Sequence, residues 1–139
     1  MLYIVRGAAD SNRDQIAKQL VVEHNGVQIE ADDYFVADGV YTFNPFKLEQ
    51  AHQWCLNQVK MHLRAGRNVI LSNTSTELWE FKPYMEYCNR VGISFDIFYC
   101  LEKGTNKYNT PDKACVKQRK RFMRLTTILD QCKPLHSGV

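Results

Sequence analysis

Behind the apolar run at residues 2–5, the stretch Gly7-Ala8-Ala9-Asp10-Ser11-Asn12-Arg13-Asp14 sets a glycine, two acids, an amide and a base in sequence before a helical pattern. A glycine loop between a strand and a helix presents backbone N–H groups to anions, phosphates above all, and a cation within it neutralises them. Gly7 and Arg13 suit those tasks, while Asp10 and Asp14 oppose them. A second group is the carboxylate pair Asp32 and Asp33, at the end of GVQIEADD. Such a strand-end carboxylate caps a turn. A third is the polar segment 72–76, SNTST, directly behind the apolar NVILS. A fourth is the run Lys117-Gln118-Arg119-Lys120-Arg121-Phe122-Met123-Arg124, five positive charges in eight residues. That density suits an extended polyanion, an acidic protein face or a solvated helix.

These groups need a scaffold that brings distant segments together. Leu2, Tyr3, Ile4 and Val5 read as a strand covered on both faces, and Ile16, Ala17, Leu20 and Val21 recur at helical spacing behind the loop. GVQIEADD gives a second short strand. After Pro45, Leu48, Ala51, Cys55, Val59 and Leu63 repeat at i+3 or i+4, and Gly66 ends the pattern. NVILS is another buried-type strand. Thr74 or Ser75 is placed to cap a helix through LWEFKPYMEYCNR, whose start Pro83 shifts or whose axis it bends. SFDIFYC is the next strand, followed by the turn-rich GTNKYNT and a basic helix behind Pro111. Strands alternating with helices argue for a parallel sheet covered on both faces, with its ligand crevice beyond the carboxyl ends of the strands. Residues 7–14, Asp32, Asp33, residues 72–76 and the loop after Cys100 would meet there.

The chain has 139 residues, 45% of them hydrophobic, enough for one domain over 1–139 and too short for two. Its net charge of +3 is uneven. Residues 1–102 hold 9 Lys/Arg against 13 Asp/Glu, a balance of −4, and residues 103–139 hold 9 against 2, a balance of +7. The C-terminal part, about 111–133, is thus a basic helical segment. No apolar run approaches the roughly eighteen residues of a membrane span, and Arg6 arrives too early for a signal sequence. The expectation is a soluble, cytoplasmic protein with no membrane partner. Cys55, Cys88, Cys100, Cys115 and Cys132 are odd in number and lack metal-finger spacing, so they read as reduced, packed thiols. Among His24, His52, His62 and His136, His52 and His62 share a predicted helix but would stand about 15 Å apart, and no metal is expected.

In order and separation, LYIVRG, EADDYF, DGVYTFNPFKLEQAHQWC and NVILSNTSTELWEFKPY resemble the small P-loop kinase-like ATPases of bacteriophages, which are similar to the 5′-kinase domain of polynucleotide kinases. The similarity covers residues 1 to about 90, with a weaker echo in NTPDKACVKQRKRF. The resemblance implies a three-layer α/β P-loop NTPase, kinase-like fold. It also implies a first loop of the form Gly-x-x-x-x-Gly-Lys-Ser/Thr, in which glycines let N–H groups close on phosphates, lysine neutralises them and the hydroxyl ligates Mg²⁺. On this chain Gly7 is kept, Asn12 stands for the second glycine, Arg13 for the lysine and Asp14 for the hydroxyl residue. Asn12 is compatible with a left-handed backbone, and Asp14 could instead ligate Mg²⁺ directly. The same resemblance makes Asp32 the general base, Asn73 an acceptor-positioning residue and Arg121 the lid arginine, although Asn109-Thr110-Pro111 lacks the lid histidine.

Asp10 and Asp14 place negative charge where a triphosphate would nestle, and like charges at roughly 4 to 6 Å cost on the order of several kcal/mol at intermediate dielectric. The leading expectation is a non-catalytic P-loop-fold protein without a cofactor. If phage-encoded, it would bind a host protein or nucleic acid in host takeover or anti-defence, through Asn73, Arg119, Lys120 and Arg124. One alternative is an active polynucleotide or nucleoside kinase using Mg-ATP, with Asp32 and Arg121 catalytic. Another is a nucleic-acid binder built on the basic helix. Trp79 reads as core packing ahead of a base-stacking platform. Tyr34, Phe35, Tyr41, Phe43 and Phe46 form an aromatic loop that is either an interface or the filling of a vacated acceptor pocket. Oligomeric state is not encoded in any of these patterns.

Overall fold

A computed structural model of the chain describes residues 1–130 and 136–137. The elements are β1, Leu2–Arg6; α1, Arg13–His24; β2, Val27–Ile29; a 3-10 turn, Ala31–Phe35; β3, Val36–Ala37; and β4, Val40–Tyr41. A 3-10 turn, Pro45–Lys47, leads into α2, Leu48–Arg64, then β5, Val69–Leu71; α3, Leu78–Val91; β6, Phe95–Tyr99; α4, Asp112–Asp130; and β7, His136–Ser137.

Every residue of β1 is buried, which puts it mid-sheet, since a strand apolar on both sides has no face to show water. It pairs in parallel with β5 on one side (Leu2 opposite Val69, Ile4 opposite Leu71) and with β6 on the other. The five-stranded order is β2-β5-β1-β6-β7, and all its pairings are parallel. Alternation along β1 divides the core. Leu2 and Ile4 join Ala51, Cys55, Val59, Leu63, Phe81 and Tyr84 under α2 and α3. Tyr3 and Val5 join Ile16, Ala17 and Leu20 under α1. The result is three layers, helix, sheet and helix, with strand order reversing beside β1 so that the loop at residues 7–12 opens on the crevice. β3 and β4 form a separate small hairpin that the sequence pattern did not announce.

Local signals worked as their chemistry dictates at several ends. Asn44 Oδ1 accepts the Phe46 N–H at 3.0 Å over Pro45, and Gly66 follows α2 at φ 80°, where a side chain would be strained. Two expectations are corrected, the cap of α3 and the packing of Trp79, and Pro83 does not set the start of α3. Neither Thr74 nor Ser75 caps α3: Glu77 precedes its first turn, and the Thr76 N–H donates to Glu80 Oε2 at 3.1 Å. Arg6 Nε donates to the Ser75 carbonyl at 2.7 Å and holds that segment back in the loop. Pro83 lies inside α3, five residues past its start. Trp79 does not pack in the core; it is 66% exposed because the buried stripe of α3 is Phe81, Tyr84, Tyr87 and Cys88.

Among the described residues no helix is long and apolar enough to cross a membrane. Cys55, Cys88, Cys100 and Cys115 are buried free thiols. Cys132 and the end of the predicted basic segment, residues 131–133, lie outside the described residues.

Candidate functional site

The loop behind β1 is bonded to its own chain along most of its length. The Gly7 N–H donates to Thr74 O at 3.0 Å, Ser11 N–H to Ala8 O at 3.0 Å and Asn12 N–H to Glu102 O at 2.8 Å. The Ala9 N–H donates to Gln118 Oε1 at 2.8 Å, and the Arg13 N–H to Ser11 Oγ at 3.3 Å. In return, Gly104 N–H donates to Asp10 O at 2.8 Å, and Ser11 and Lys103 form an antiparallel bridge. Residues 102–104 therefore lie zipped along the loop. Gly104 is required there, because a Cβ at that position would stand 2.5 Å from Ser11 O and 2.6 Å from Asn12 Cα. Asn12 does not adopt a left-handed backbone; its φ is −78°, as the residue preceding α1.

The loop's charged side chains are also turned to internal partners. Arg13 is 5% exposed and folds back to donate from Nη1 to Gly7 O at 2.7 Å. Asp10 pairs with Arg119. Asp14 takes Lys18 Nζ at 3.0 Å, Gln28 Nε2 at 3.0 Å and Lys107 Nζ at 2.8 Å. Burial would raise its pKa, but the donors Lys107, Gln28 and Lys18 hold the Asp14 carboxyl well below the usual carboxylate range. Lys107 also lies 2.7 Å from Glu30 Oε1. The Glu30 side chain is buried, accepting from Ser72 Oγ at 2.8 Å and from the Tyr108 hydroxyl. Burial pulls the Lys107 pKa down, yet its bonds to Asp14 and Glu30 win and leave it above the ordinary lysine value.

Beyond β2, Asp32 sits on the 3-10 turn and accepts from Tyr41 Oη at 2.9 Å. Burial raises the Asp32 pKa, against the Tyr41 hydrogen bond and with the Glu30 charge adding to the rise. Asp33 is raised for the same first reason, burial. Asn73 holds this turn in place: its Oδ1 accepts the Ala31 N–H at 2.7 Å and its Nδ2 donates to Cys55 Sγ at 3.7 Å. In the aromatic loop, Phe35 is buried and Tyr41 half-buried against Tyr108, with ring centroids 4.5 Å apart. Phe43 and Phe46 are exposed.

α4 meets the loop through Gln118 and Arg119. Arg121 is turned instead toward α3, with Nε 3.4 Å from Thr76 Oγ1 and 3.6 Å from Glu77 Oε1. Lys120 and Arg124 face solvent. Phe122 is buried over the Arg6 guanidinium, 4.7 Å away, with Phe81 4.8 Å away on the same cation. A cavity of about 310 Å³ lies between the loop, residues 100–103 and α4. The structure thus gathers Gly7, Asn12, Arg13, Asp14 and Arg119 at one place. It sets Asp32 and Asn73 on a second flank and points Arg121 to a third. Sequence reasoning missed Glu30, Lys107, Tyr108, Gln118 and Gly104. The one available signal was position, since residues 102–110 follow β6 where the crevice begins. Among the described residues no cluster of three or more His, Cys, Asp or Glu could hold a metal.

The parallel order, the central β1 and the loop leading into α1 define the architecture of P-loop kinases, and comparison with solved structures agrees. Kti12 of Chaetomium thermophilum, solved with ADP-AlF3, matches with a TM-score of 0.72 at 12% identity, over 99% of this chain and 88% of that one. The APS kinase CysC of Mycobacterium tuberculosis matches with a TM-score of 0.56 at 12% identity, over 93% and 96%. The Pnkp1/Rnl/Hen1 complex matches with a TM-score of 0.55 at 20% identity, over 84% and 38%. The chain has a P-loop NTPase, kinase-like fold. In sequence, 87 residues, 61% of the chain, are 33% identical to human NEDD4-binding protein 2 and span 5% of that protein's length. No protein-family profile matches the chain.

Proposed function

We propose that this P-loop kinase-like protein works by binding rather than by phosphoryl transfer. The observation that carries the reading is the closure of the loop. The N–H groups of Ala9, Ser11, Asn12 and Arg13, which a phosphate would need, are all spent on acceptors within the chain. Arg13, in the place of the kinase lysine, bonds Gly7 O of the same loop. The Lys107 ammonium lies between Asp14 and Glu30, the two carboxylates best placed to hold a divalent ion. A tethered cation already neutralises them, so the residues present do not fit Mg-ATP without displacement of residues 102–107.

The resemblance to phage kinase-like proteins supports a phage-encoded factor, and the basic surface of α4 supports an anionic binding partner. It would engage a host protein or nucleic acid in the host cytoplasm, in takeover or anti-defence. Turnover tests the reading: with labelled ATP, Mg²⁺ and 5′-hydroxyl oligonucleotides or nucleosides, no label transfers above a no-protein control. Transfer that disappears in Asp32→Asn overturns it.

One observation favours the second reading, an active kinase. Asp32 is half-buried beyond β2 with a raised pKa, the tuning expected of a general base. In that reading Mg-ATP binding would have to break the Lys107 pairs first, and Arg121 would have to leave Glu77 to reach the loop.

A further inference from the structure

The exposed Trp79 does not stand alone. Its Nε1 donates to Glu77 Oε2, and Arg121 Nε pairs with the other oxygen of the same carboxylate at 3.6 Å. One half-exposed glutamate therefore fixes an indole and a guanidinium side by side on the rim between α3 and α4. On α4, Lys117 and Arg124 lie four residues before and three after Arg121, the spacing that puts all three on one helical face. Lys117, Lys120 and Arg124 are exposed. Arg121 neutralises Glu77, and the second carboxylate of this turn, Glu80, is directed inward to the Thr76 N–H and hydroxyl. The remaining charge of the rim is cationic.

We propose that Trp79 and the Lys117, Lys120, Arg121 and Arg124 face of α4 form a surface for single-stranded nucleic acid. The proposal deepens the binding reading by naming its partner. An exposed, anchored aromatic gives one base a stacking platform, and cations along about 10 Å of helix follow the backbone phosphates on either side. Any base can stack, so this surface tolerates sequence. An acidic peptide such as poly-glutamate would use the cations but offers no ring to stack on the indole.

The test uses the full chain with Trp54→Phe, which leaves Trp79 as the sole tryptophan. A twelve-residue oligothymidylate and a poly-glutamate peptide of equal charge are the probes, and no nucleotide triphosphate is present. The oligonucleotide is expected to quench Trp79 emission and to bind with log K falling against log salt at a slope of about −2, for three phosphates contacted. Read by the anisotropy of a dye-labelled copy of the oligonucleotide, Trp79→Ala should weaken binding about tenfold, Trp79→Phe should retain most of it, and Lys117→Glu with Arg124→Glu should abolish it. Oligonucleotide affinity unchanged by Trp79→Ala, an absence of binding at low salt, or equal quenching by poly-glutamate overturns the proposal. Because the assay contains no ATP, its failure leaves the closed loop as it stands. A loop that did bind ATP would in turn leave this surface as it stands.

Discussion

Lys107 Nζ lies 2.7 Å from the carboxylate of Glu30, seventy-seven residues away in sequence, and that pair joins the segment after β6 to the end of β2. Glu30 is 3% exposed, so its neutralisation is not optional. Lys107→Met should destabilise the protein by about 1 to 3 kcal/mol, below the roughly 3 to 5 of a fully buried pair because the lysine itself is partly exposed. Urea unfolding measures it. Adding Glu30→Gln should recover part of the loss, and two independent losses would contradict the pairing.

Gly104 tests the zipped segment without touching charge. Its missing Cβ is replaced in space by Ser11 O and Asn12 Cα. Gly104→Ala should cost about 1 to 3 kcal/mol by overpacking. It should also speed hydrogen exchange at the Asn12 and Gly104 amides more than at those of β1. Uniform protection in the variant would mean that the contact is looser than it looks.

Asp32 and Asp14 predict opposite pH dependences. Burial raises the Asp32 pKa, so the folded protein binds this proton more tightly than the unfolded chain does; the associated stability is present at low pH and is lost as pH rises through the folded pKa. Asp32→Asn keeps an acceptor for Tyr41 and should raise Tm at pH 7, with the gain shrinking toward pH 4. Asp14 is depressed, so its stabilisation is present above the normal carboxylate pKa and falls away with acidification below it. Asp14→Asn should lower Tm at pH 7 and matter less in acid.

Burial pushes the Cys55 thiol up to about 11 and the Cys100 thiol up to about 12. Both should resist alkylation at pH 8 in the native state and react fully in denaturant, as peptide mass mapping would show. Native labelling of Cys100 would indicate that the cavity beside it opens to solvent.

Much of the fold is legible in local patterns. β1 and β5 are continuous apolar runs because the sheet buries them on both faces, and α2 shows its stripe because only one side of it meets the core. Trp79 misleads for a related reason: α3 is so rich in aromatics that nothing local separates the buried Phe81 and Tyr84 from the exposed indole. The site is legible only by half. Asp14, Asp32 and Asn73 follow strands and can be placed at the crevice from sequence order. Lys107, Tyr108 and Gln118 reach it across 78 to 109 residues, and such contacts leave no periodicity. Asp10 and Asp14 read as repelling a ligand in sequence, whereas in the fold Arg119, Lys18 and Lys107 have already answered their charge.

The closed loop is tested most directly by calorimetric titration with Mg-ATP at millimolar nucleotide. The natural chain is run beside a variant carrying Asp10→Gly, Asn12→Gly, Arg13→Lys, Asp14→Ser and Lys107→Ala. The natural chain should give no heat of binding, and the variant should bind measurably once the loop residues are restored and the tethered cation is removed. Saturable Mg-ATP binding by the natural chain would contradict it.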